Sequence, residues 1–571
     1  MNNDKKLDIL RHSCAHLLAM AVKKIFPSAK LAIGPAIENG FYYDFELPRS
    51  LTDEDLSLIE KTMKDLSKKN ISFEKKSFSL QEAKNKLKNQ PYKMELLEDI
   101  QDKKIDFYKT GDFIDLCRGP HVESTKEIKY FKLLFVAGAY WRGDSSKPML
   151  QRIYGTCWQN KDDLMRYLKD LEESKKRDHK KLGQTLDLFS FHSEAAGMVF
   201  WHPKGKIVFD KLVNFSREKS KKFGYQEIST PNILDVNVWK TSGHWNHYKE
   251  AMFFVNSFKE KVDLGVRPMG CPGAIILYKT SVRSYKDLPI RYAEFDTITR
   301  NELSGTLHGL FRLRQFTQDD AHIFLREDQI SEEISFLLKL VNEVYQTIGF
   351  RYKVKLSTRP SDYMGEIAVW NKAEDALKKA LIENKINYEI KDGEGAFYGP
   401  KIDFDILDAM NRFWQCATIQ LDFQMPEKFN LKYIDKKGKM VQPIIIHRVI
   451  LGSIERFMGI LLEHTNGKLP VWLSPIQVRI LPVSDKHCSY AAEIVKELEK
   501  SKIRADFDFR SESVSKKIRD SELQKIPYII VVGDKEVKNK NITIRDRSSK
   551  ELKTFFVKDF IKDFACRNRM V

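Results

Sequence analysis

From about residue 185 to 470 the chain is a succession of aromatic and β-branched runs broken by Gly and Pro: EISTPNIL, IRYAEFDTITR, FRLRQFTQDDAHIF, FWQCATIQLDF and VQPIIIHR. Runs of this kind read as strands. They do not alternate regularly with helical patterns, which argues against a parallel sheet built from strand–helix–strand units. The expected solution is a largely antiparallel sheet with helices packed on it, within an α+β multidomain chain. One of these strands adds a second constraint. In FTQDDAHIF, residues 316–324, alternation puts Phe316, Gln318, Asp320, His322 and Phe324 on one face. An amide, a carboxylate and an imidazole between aromatic ends need a reason, and Asp319, pointing the other way, needs another.

The texture changes on both sides of this region. Residues 1–160 mix helical patterns (7–26, 52–69, 80–88) with short strand-like runs such as KLAIGPAI and YYDFEL. In KDDLMRYLKDLEESKKRDHKK, Leu164, Tyr167, Leu168 and Leu171 recur at helical spacing among charges, the pattern of an exposed connecting helix. After LPVWLSP, strand and helix patterns alternate from QVRILPV to PYIIVVGDKE, as in a small α/β domain. A chain of 571 residues is too long for one core. The expected division is 1–160, a linker helix over 161–184, 185–470 and 471–571.

Lys plus Arg number 97 against 79 for Asp plus Glu, a net charge of +18, which favours a polyanionic partner, nucleic acid first. A Lys-rich background composition is the alternative. No apolar run reaches the length of a membrane span, and MNNDKKLDILRHS lacks the apolar core of a signal peptide, so a cytoplasmic protein with no membrane partner is expected. The seven Cys are scattered without CxxC pairs, which suits isolated thiols or a metal ligand better than a disulfide framework.

The chemistry-bearing residues cluster in a few segments. IRYAEFDTITRNELSGTLHGLFRLRQFTQDD reads as two strands joined by a long loop, with Arg300 and Glu302 sharing one strand face and Arg312 and Arg314 another. Guanidinium forks match phosphate oxygens at any pH, so converging arginines suit a triphosphate, although surface ion pairing would explain any one of them. There is no Walker-type glycine loop. IIIHRVILGSIERFMGILLE places His447 on an apolar strand and Arg456 among apolar helix neighbours, where it needs a partner. Cys271 in RPMGCPG, His322 and His447 could converge as three zinc ligands with a fourth position open. A lone His on an apolar face is more often a hydrogen-bonded core residue. Near the N-terminus, RHSCAHLL puts His12 and His16 on one helical face, and DLCRGPH adds Cys117 and His121. HxxxH with CxxxH is by itself a plausible zinc site.

Taken together, RPMGCPG, QDDAHIF, GEGAFYGPK, QCATIQLDF and IIHRVILGSIERF, with a strand ending in Pro231, Arg300–Asn301–Glu302 and Gly452 to Arg456, follow one another in a specific order. In that order the chain resembles the threonyl-tRNA synthetases, class II aminoacyl-tRNA synthetases of the bacterial type, over essentially its full length. The resemblance implies a catalytic-site zinc on Cys271, His322 and His447, with Mg²⁺ accompanying ATP. It implies Arg300 at the α-phosphate, Arg312 and Arg456 toward the γ-phosphate, Phe316 and Arg456 around adenine, and Glu302 and Gln415 as further ATP contacts. Lys401 would approach the α-phosphate and the substrate carboxylate. Gln318, Asp320, Tyr398, Thr418 and Gln420 would line the amino-acid and ribose pockets, and His244 would assist proton transfer from the tRNA ribose. His12, His16, Lys93, Asp115, Cys117 and His121, with Tyr42 or Tyr43, would form a metal-free pocket that hydrolyses mischarged seryl-tRNA. Arg519, Glu536 and Arg545 would read the anticodon. The implied partners are tRNA(Thr), ATP, L-threonine and a second subunit in a homodimer.

Discrimination explains why a metal belongs there. One group in an apolar pocket is worth only about 1–3 kcal/mol, too little to reject valine. An open zinc position can demand both an amine and a hydroxyl. Serine has both, so a correction step is expected. The chain departs from the family pattern at Gly270, Ala274, Leu303, Ala417 and Ser511, with Ala417 expected to crowd the Thr418 pocket. The small ubiquitin-like domain that usually precedes the HxxxH helix is not seen, and the initiating Met and length favour its loss. The competing readings are a non-catalytic RNA-binding paralogue, which would be expected to lose Arg300, Arg456 or a zinc ligand, and a zinc hydrolase built on HxxxH and CxxxH.

Overall fold

The longest element of the first part of the chain is the helix Asn3–Ile25, whose Cys14, Leu17, Leu18, Ala21 and Val22 are completely buried. The computed structural model describes residues 3–102, 104–144, 146–256 and 263–568. The chain divides into two compact units, Met1–Glu173 and Ser174–Val571. In the first, an antiparallel sheet is ordered Lys30–Leu31, Gly40–Glu46, Met149–Trp158, Tyr130–Tyr140, with Ala36–Ile37 on Gly40–Glu46. A second sheet joins Glu74–Phe78, Ile105–Thr110 and Phe113–Leu116. The helices Asp53–Lys68 and Leu80–Leu87 start on capping boxes at Thr52 and Ser79, which satisfy backbone donors at each N-terminus.

The connecting helix expected over 161–184 is broken. Lys161–Arg177 ends before Asp178, whose side chain accepts from Lys180 N and Lys181 N and so caps a new helix, His179–Thr185.

The second unit is organised by a nine-stranded sheet. Its main order is Gln226–Glu227, Ile290–Glu294, Gln315–Leu325, Ile444–Ser453, Phe413–Asp422, Lys401–Leu407, Arg351–Ser357, Tyr388–Lys391. All pairings inside this run are antiparallel except the two outermost, and the helices Pro203–Lys222, Ile330–Ile348, Ile367–Glu383 and Ile454–Thr465 contribute to one apolar cluster with it. A separate five-stranded sheet follows, ordered Ala505–Phe507, Val478–Pro482, Tyr528–Val532, Asn541–Asp546, Leu552–Phe556, with its own apolar core. Among the described residues no helix is long and apolar enough to cross a membrane.

The strand Gln315–Leu325 departs from simple alternation. Its register against Ile444–Ser453 shifts between Gln318 and Asp320, which pair with Ser453 and Val449. The irregularity leaves Ile450 N and Leu451 N without a ladder partner, and the carboxylate of Asp319 takes both at 3.0–3.3 Å. Ser216 Oγ donates to the same carboxylate at 3.1 Å. Burial pushes the Asp319 carboxyl up to about 6. Asp319 is therefore the clamp of a β-bulge. Asp319→Ala strands two buried N–H groups, each worth about 1–3 kcal/mol. We expect it to lower the urea midpoint of the second unit clearly more than Asp319→Asn; equal effects would count against the clamp.

Candidate active site

Register assembles the site. Across neighbouring strands His322 pairs with His447, His447 with Gln420, and Gln420 with Lys401. One row along, Asp320 pairs with Val449, Val449 with Thr418, and Thr418 with Asp403. Directly paired residues in an antiparallel sheet present side chains to the same face, so residues scattered over 120 positions become neighbours. Every candidate for ATP, substrate or metal contact lines one cavity of about 590 Å³, apart from His244.

Cys271 heads the buried helix Cys271–Tyr278, and its thiol lies with ring nitrogens of His322 and His447 in a group whose ligand atoms are all within 4.8 Å of one another. All three are buried. His447 Nε2 meets Asp422 Oδ2 at 2.9 Å and His322 Nε2 lies 3.8 Å from Asp320 Oδ2. Carboxylates that orient imidazoles are the usual second layer of a metal centre. Burial pushes the Cys271 thiol well up and holds His322 at about 4. A thiol and two imidazoles with carboxylate backing fit a zinc ion with one position open.

The arginines are not held as their expected strand positions implied. The strands end at Thr299 and resume at Gln315, so Arg300, Glu302, Arg312 and Arg314 sit on the intervening loop rather than on strand faces. Its ends are tied by Arg300 N donating to Arg314 O, and by Arg314 Nε donating to Glu302 O, both under 3 Å. Arg312 is occupied by Glu302 at 2.9 Å and Lys401 by Asp403 at 3.0 Å. Arg300 instead lies over the rings of Phe316 and Tyr248, and Arg456 over Trp414. Among the described residues neither of these two meets a carboxylate, and Arg456 Nε is buried without a hydrogen-bond partner. They are the cations free to take phosphate oxygens.

Asp403, absent from the sequence candidates, organises the substrate side: its carboxylate also accepts from Gln415 Nε2 at 2.6 Å and Thr418 Oγ1 at 3.0 Å. The i, i+2 spacing of Lys401 and Asp403 in KIDFD was its signal. Gly270 has a local reason, since a Cβ there would lie 2.8 Å from Asp320 Oδ2 and 3.2 Å from Glu294 Oε2. Ala417 does not crowd the Thr418 pocket as expected. It faces the opposite side of its strand, fully buried in the apolar cluster. His244 is also fully buried, its ring bonded to Ser242 Oγ at 2.7 Å and touching Met269 Sδ at 3.1 Å, and burial lowers it to about 3.

In the first unit the expected pocket residues meet. Cys117 Sγ lies 3.3 Å from His12 Nε2 and 3.2 Å from His121 Nε2. The carboxylate of Asp115 takes Lys93 Nζ at 3.0 Å and Tyr43 OH at 2.6 Å, so Tyr43, not Tyr42, belongs to the pocket. Tyr42 lies beneath Arg152. Burial lowers His12, holds His16 and His121 at about 3 and about 2, and pushes Cys117 up to about 11. The pocket's three imidazoles and its thiol are neutral donors and acceptors at neutral pH. His12, Cys117 and His121 also have metal-compatible spacing.

In the C-terminal sheet, Glu536 accepts from Gly533 N and Thr543 Oγ1, and Arg545, two positions along the same strand, pairs with Glu522 at 2.8 Å. Arg519 is exposed on the helix Val514–Leu523 that carries Glu522.

The fold and this cavity define a class II aminoacyl-tRNA synthetase. Residues 253–465 match the tRNA synthetase class II core domain (G, H, P, S and T), 477–567 the anticodon binding domain, and 105–154 the threonyl and alanyl tRNA synthetase second additional domain. The chain is 50% identical over 557 residues to a threonine–tRNA ligase of Acetivibrio thermocellus, covering 97% of this chain and 87% of that one. A Thermotoga petrophila threonine–tRNA ligase is 51% identical over 559 residues, with the same coverage. Among solved structures, the RNA binding domain of threonyl-tRNA synthetase from Cryptosporidium parvum aligns at TM-score 0.66 and 42% identity, covering 68% of this chain and 98% of that one. The chain belongs to the threonine–tRNA ligase family.

One buried acid makes the site's stability pH-dependent. Glu455 accepts Thr317 N on both oxygens, at 2.9 and 3.0 Å, and burial pushes it up to about 8. An unfolded Glu titrates near ~4.3, so between roughly pH 4 and 8 the folded chain keeps a proton that the unfolded chain has released. Stability from this group is whole below that window and falls as pH rises through it. Glu455→Gln should lose less thermal stability than the parent between pH 5 and 8; parallel curves would refute this.

Proposed function

We propose that the cavity activates L-threonine with ATP and passes it to tRNA(Thr), and that the pocket of the first unit clears mischarged seryl-tRNA. The observation that carries this reading is the convergence on one cavity of two carboxylate-free arginines, the Lys401–Asp403 pair and the buried Cys–His–His group. In the first step a threonine carboxylate oxygen attacks the α-phosphorus of ATP. The bond to the bridging oxygen breaks and pyrophosphate leaves with the electron pair. Arg300 neutralises the α-phosphate, Arg312 and Arg456 the γ end, Phe316 and Arg456 flank adenine, and Glu302 and Gln415 add polar contacts. Lys401 faces the carboxylate, Mg²⁺ accompanies the nucleotide, and the gain is orientation plus charge neutralisation in a preorganised site. In the second step the 3′-terminal ribose hydroxyl of the tRNA attacks the acyl carbon and AMP departs. His244, buried beside Met269 and 4.0 Å from Cys271 Sγ, would assist proton transfer from that hydroxyl.

Cys271, His322 and His447 would hold zinc, which supplies an open coordination position for an amine and a hydroxyl together. Asp320 accepts a hydrogen bond from the bound ammonium or hydroxyl, and Gln318, Tyr398, Thr418 and Gln420 shape the rest of the pocket. In the first unit, water held between His12 and Lys93 would hydrolyse the seryl ester, with His16, Asp115, Cys117 and His121 completing the pocket. The division at 160, 184 and 470, a homodimer, cytoplasmic residence and anticodon reading by Arg519, Glu536 and Arg545 belong to the same proposal.

Amino-acid-dependent ATP–pyrophosphate exchange tests it. Threonine should support exchange, serine more weakly and valine not at all; preference for any other amino acid overturns the reading. Metal analysis tests the zinc. One zinc per chain, lost in Cys271→Ser and kept in Cys117→Ser, is expected; the opposite pattern would move the metal to the first unit.

A further inference from the structure

We infer that His179 is a positioning residue for the nucleotide, setting the phosphate-binding arginines from a segment ahead of the class II core match at 253–465. The inference rests on the ATP-dependent reading above. Its starting point is the turn His308–Arg312, closed by a bridge between its end residues, with His308 N donating to Arg312 O at 3.2 Å. Inside that turn Leu310 N points away from the ladder and donates to His179 Nε2 at 3.0 Å. Accepting there puts the ring proton on Nδ1, which donates to Glu463 Oε1 at 2.7 Å. The same oxygen takes the backbone N–H of His179 at 3.0 Å. His179 is fully buried, so each of these bonds replaces water that cannot enter.

The chain of contacts continues to the two arginines proposed for the γ-phosphate, Arg312 and Arg456. Glu463 Oε2 receives Arg412 Nη2 at 2.5 Å, Arg412 Nε reaches Asp408 at 2.7 Å, and Asp408 receives Trp414 Nε1 at 2.9 Å. The ring of Phe311 is wedged between His179 at 4.1 Å and Trp414 at 4.4 Å. Trp414 is the ring over which Arg456 lies, at 5.8 Å. Arg312 is the residue after Phe311. One imidazole thus fixes the backbone just before Arg312 and, through Phe311 and Glu463, the indole under Arg456. The turn is built to receive it. Gly309 has φ +50°, and a Cβ there would fall 2.2 Å from His179 Nε2.

His179→Phe keeps the ring volume against Phe311 and removes both ring nitrogens. In pyrophosphate exchange the variant should raise the KM for ATP about tenfold, the scale of one lost charge-assisted hydrogen bond, and leave the KM for threonine within about twofold. In an Arg312→Ala background the same change should add less than it does in the parent, because one of the two cations it positions is already gone. An unchanged KM for ATP, equal rises in both KM values, or full additivity would overturn the inference. If His179→Phe does not fold, Gly309→Ala, which drives a methyl into the same contact, is read by the same criteria. Failure of the parent chain to exchange with threonine would sink the ligase reading instead, and the two failures are distinguishable.

Discussion

Everything in the catalytic unit depends on the pairing register of the strand Gln315–Leu325 against Ile444–Ser453. The two rows that make the site, His322–His447–Gln420–Lys401 and Asp320–Val449–Thr418–Asp403, exist only in that register. A one-residue slip would turn each of these side chains to the other face of the sheet. The strand is pinned on both sides of its irregular point. Glu455 holds Thr317 N, and Asp319 holds Ile450 N and Leu451 N. Both anchors are buried acids, and both are pushed up by burial rather than paired with a cation at close range. Charged groups are poor stabilisers in such places, but directional acceptors specify one register among several that apolar packing would tolerate.

Electrostatics then divide the cations of the cavity into two kinds. Arg312 and Lys401 are held by the carboxylates of Glu302 and Asp403. Arg300 and Arg456 rest on aromatic faces, Arg300 also donating Nε to Pro268 O at 3.2 Å, and neither meets a carboxylate. The first kind is fixed and partly neutralised before any ligand arrives. The second retains its full charge and its terminal donors for a polyphosphate.

Much of this was legible in the strands. The run from EISTPNIL to VQPIIIHR gave an antiparallel core, and alternation in FTQDDAHIF placed Gln318, Asp320 and His322 together, because period-two patterning is a local property. What depended on long-range geometry was not legible. Arg300 to Arg314 looked like strand ends but form a loop, since backbone ties such as Arg300 N to Arg314 O replace a ladder there. Asp319 had no reading until its two N–H partners, about 130 positions away, were in place. Ala417 was expected in the pocket because its neighbour Thr418 is there, yet adjacent strand residues face opposite sides.

The two Cys–His clusters show why spacing alone leaves the metal question open. Both bring one thiol and two imidazoles within 4.8 Å. Around Cys271, Asp320 and Asp422 push the thiol further up by repelling a thiolate, against a smaller opposing effect of Arg300. Around the N-terminal cluster Lys93 lowers His12 further, while Asp115, its partner at 3.0 Å, acts the other way on His12 and raises Cys117. His447 is oriented by a carboxylate, whereas His121 Nδ1 meets the hydroxyl of Ser13 at 3.1 Å. The carboxylates behind His447 and beside Cys271 are what distinguish the first set, and they support the proposal of zinc there.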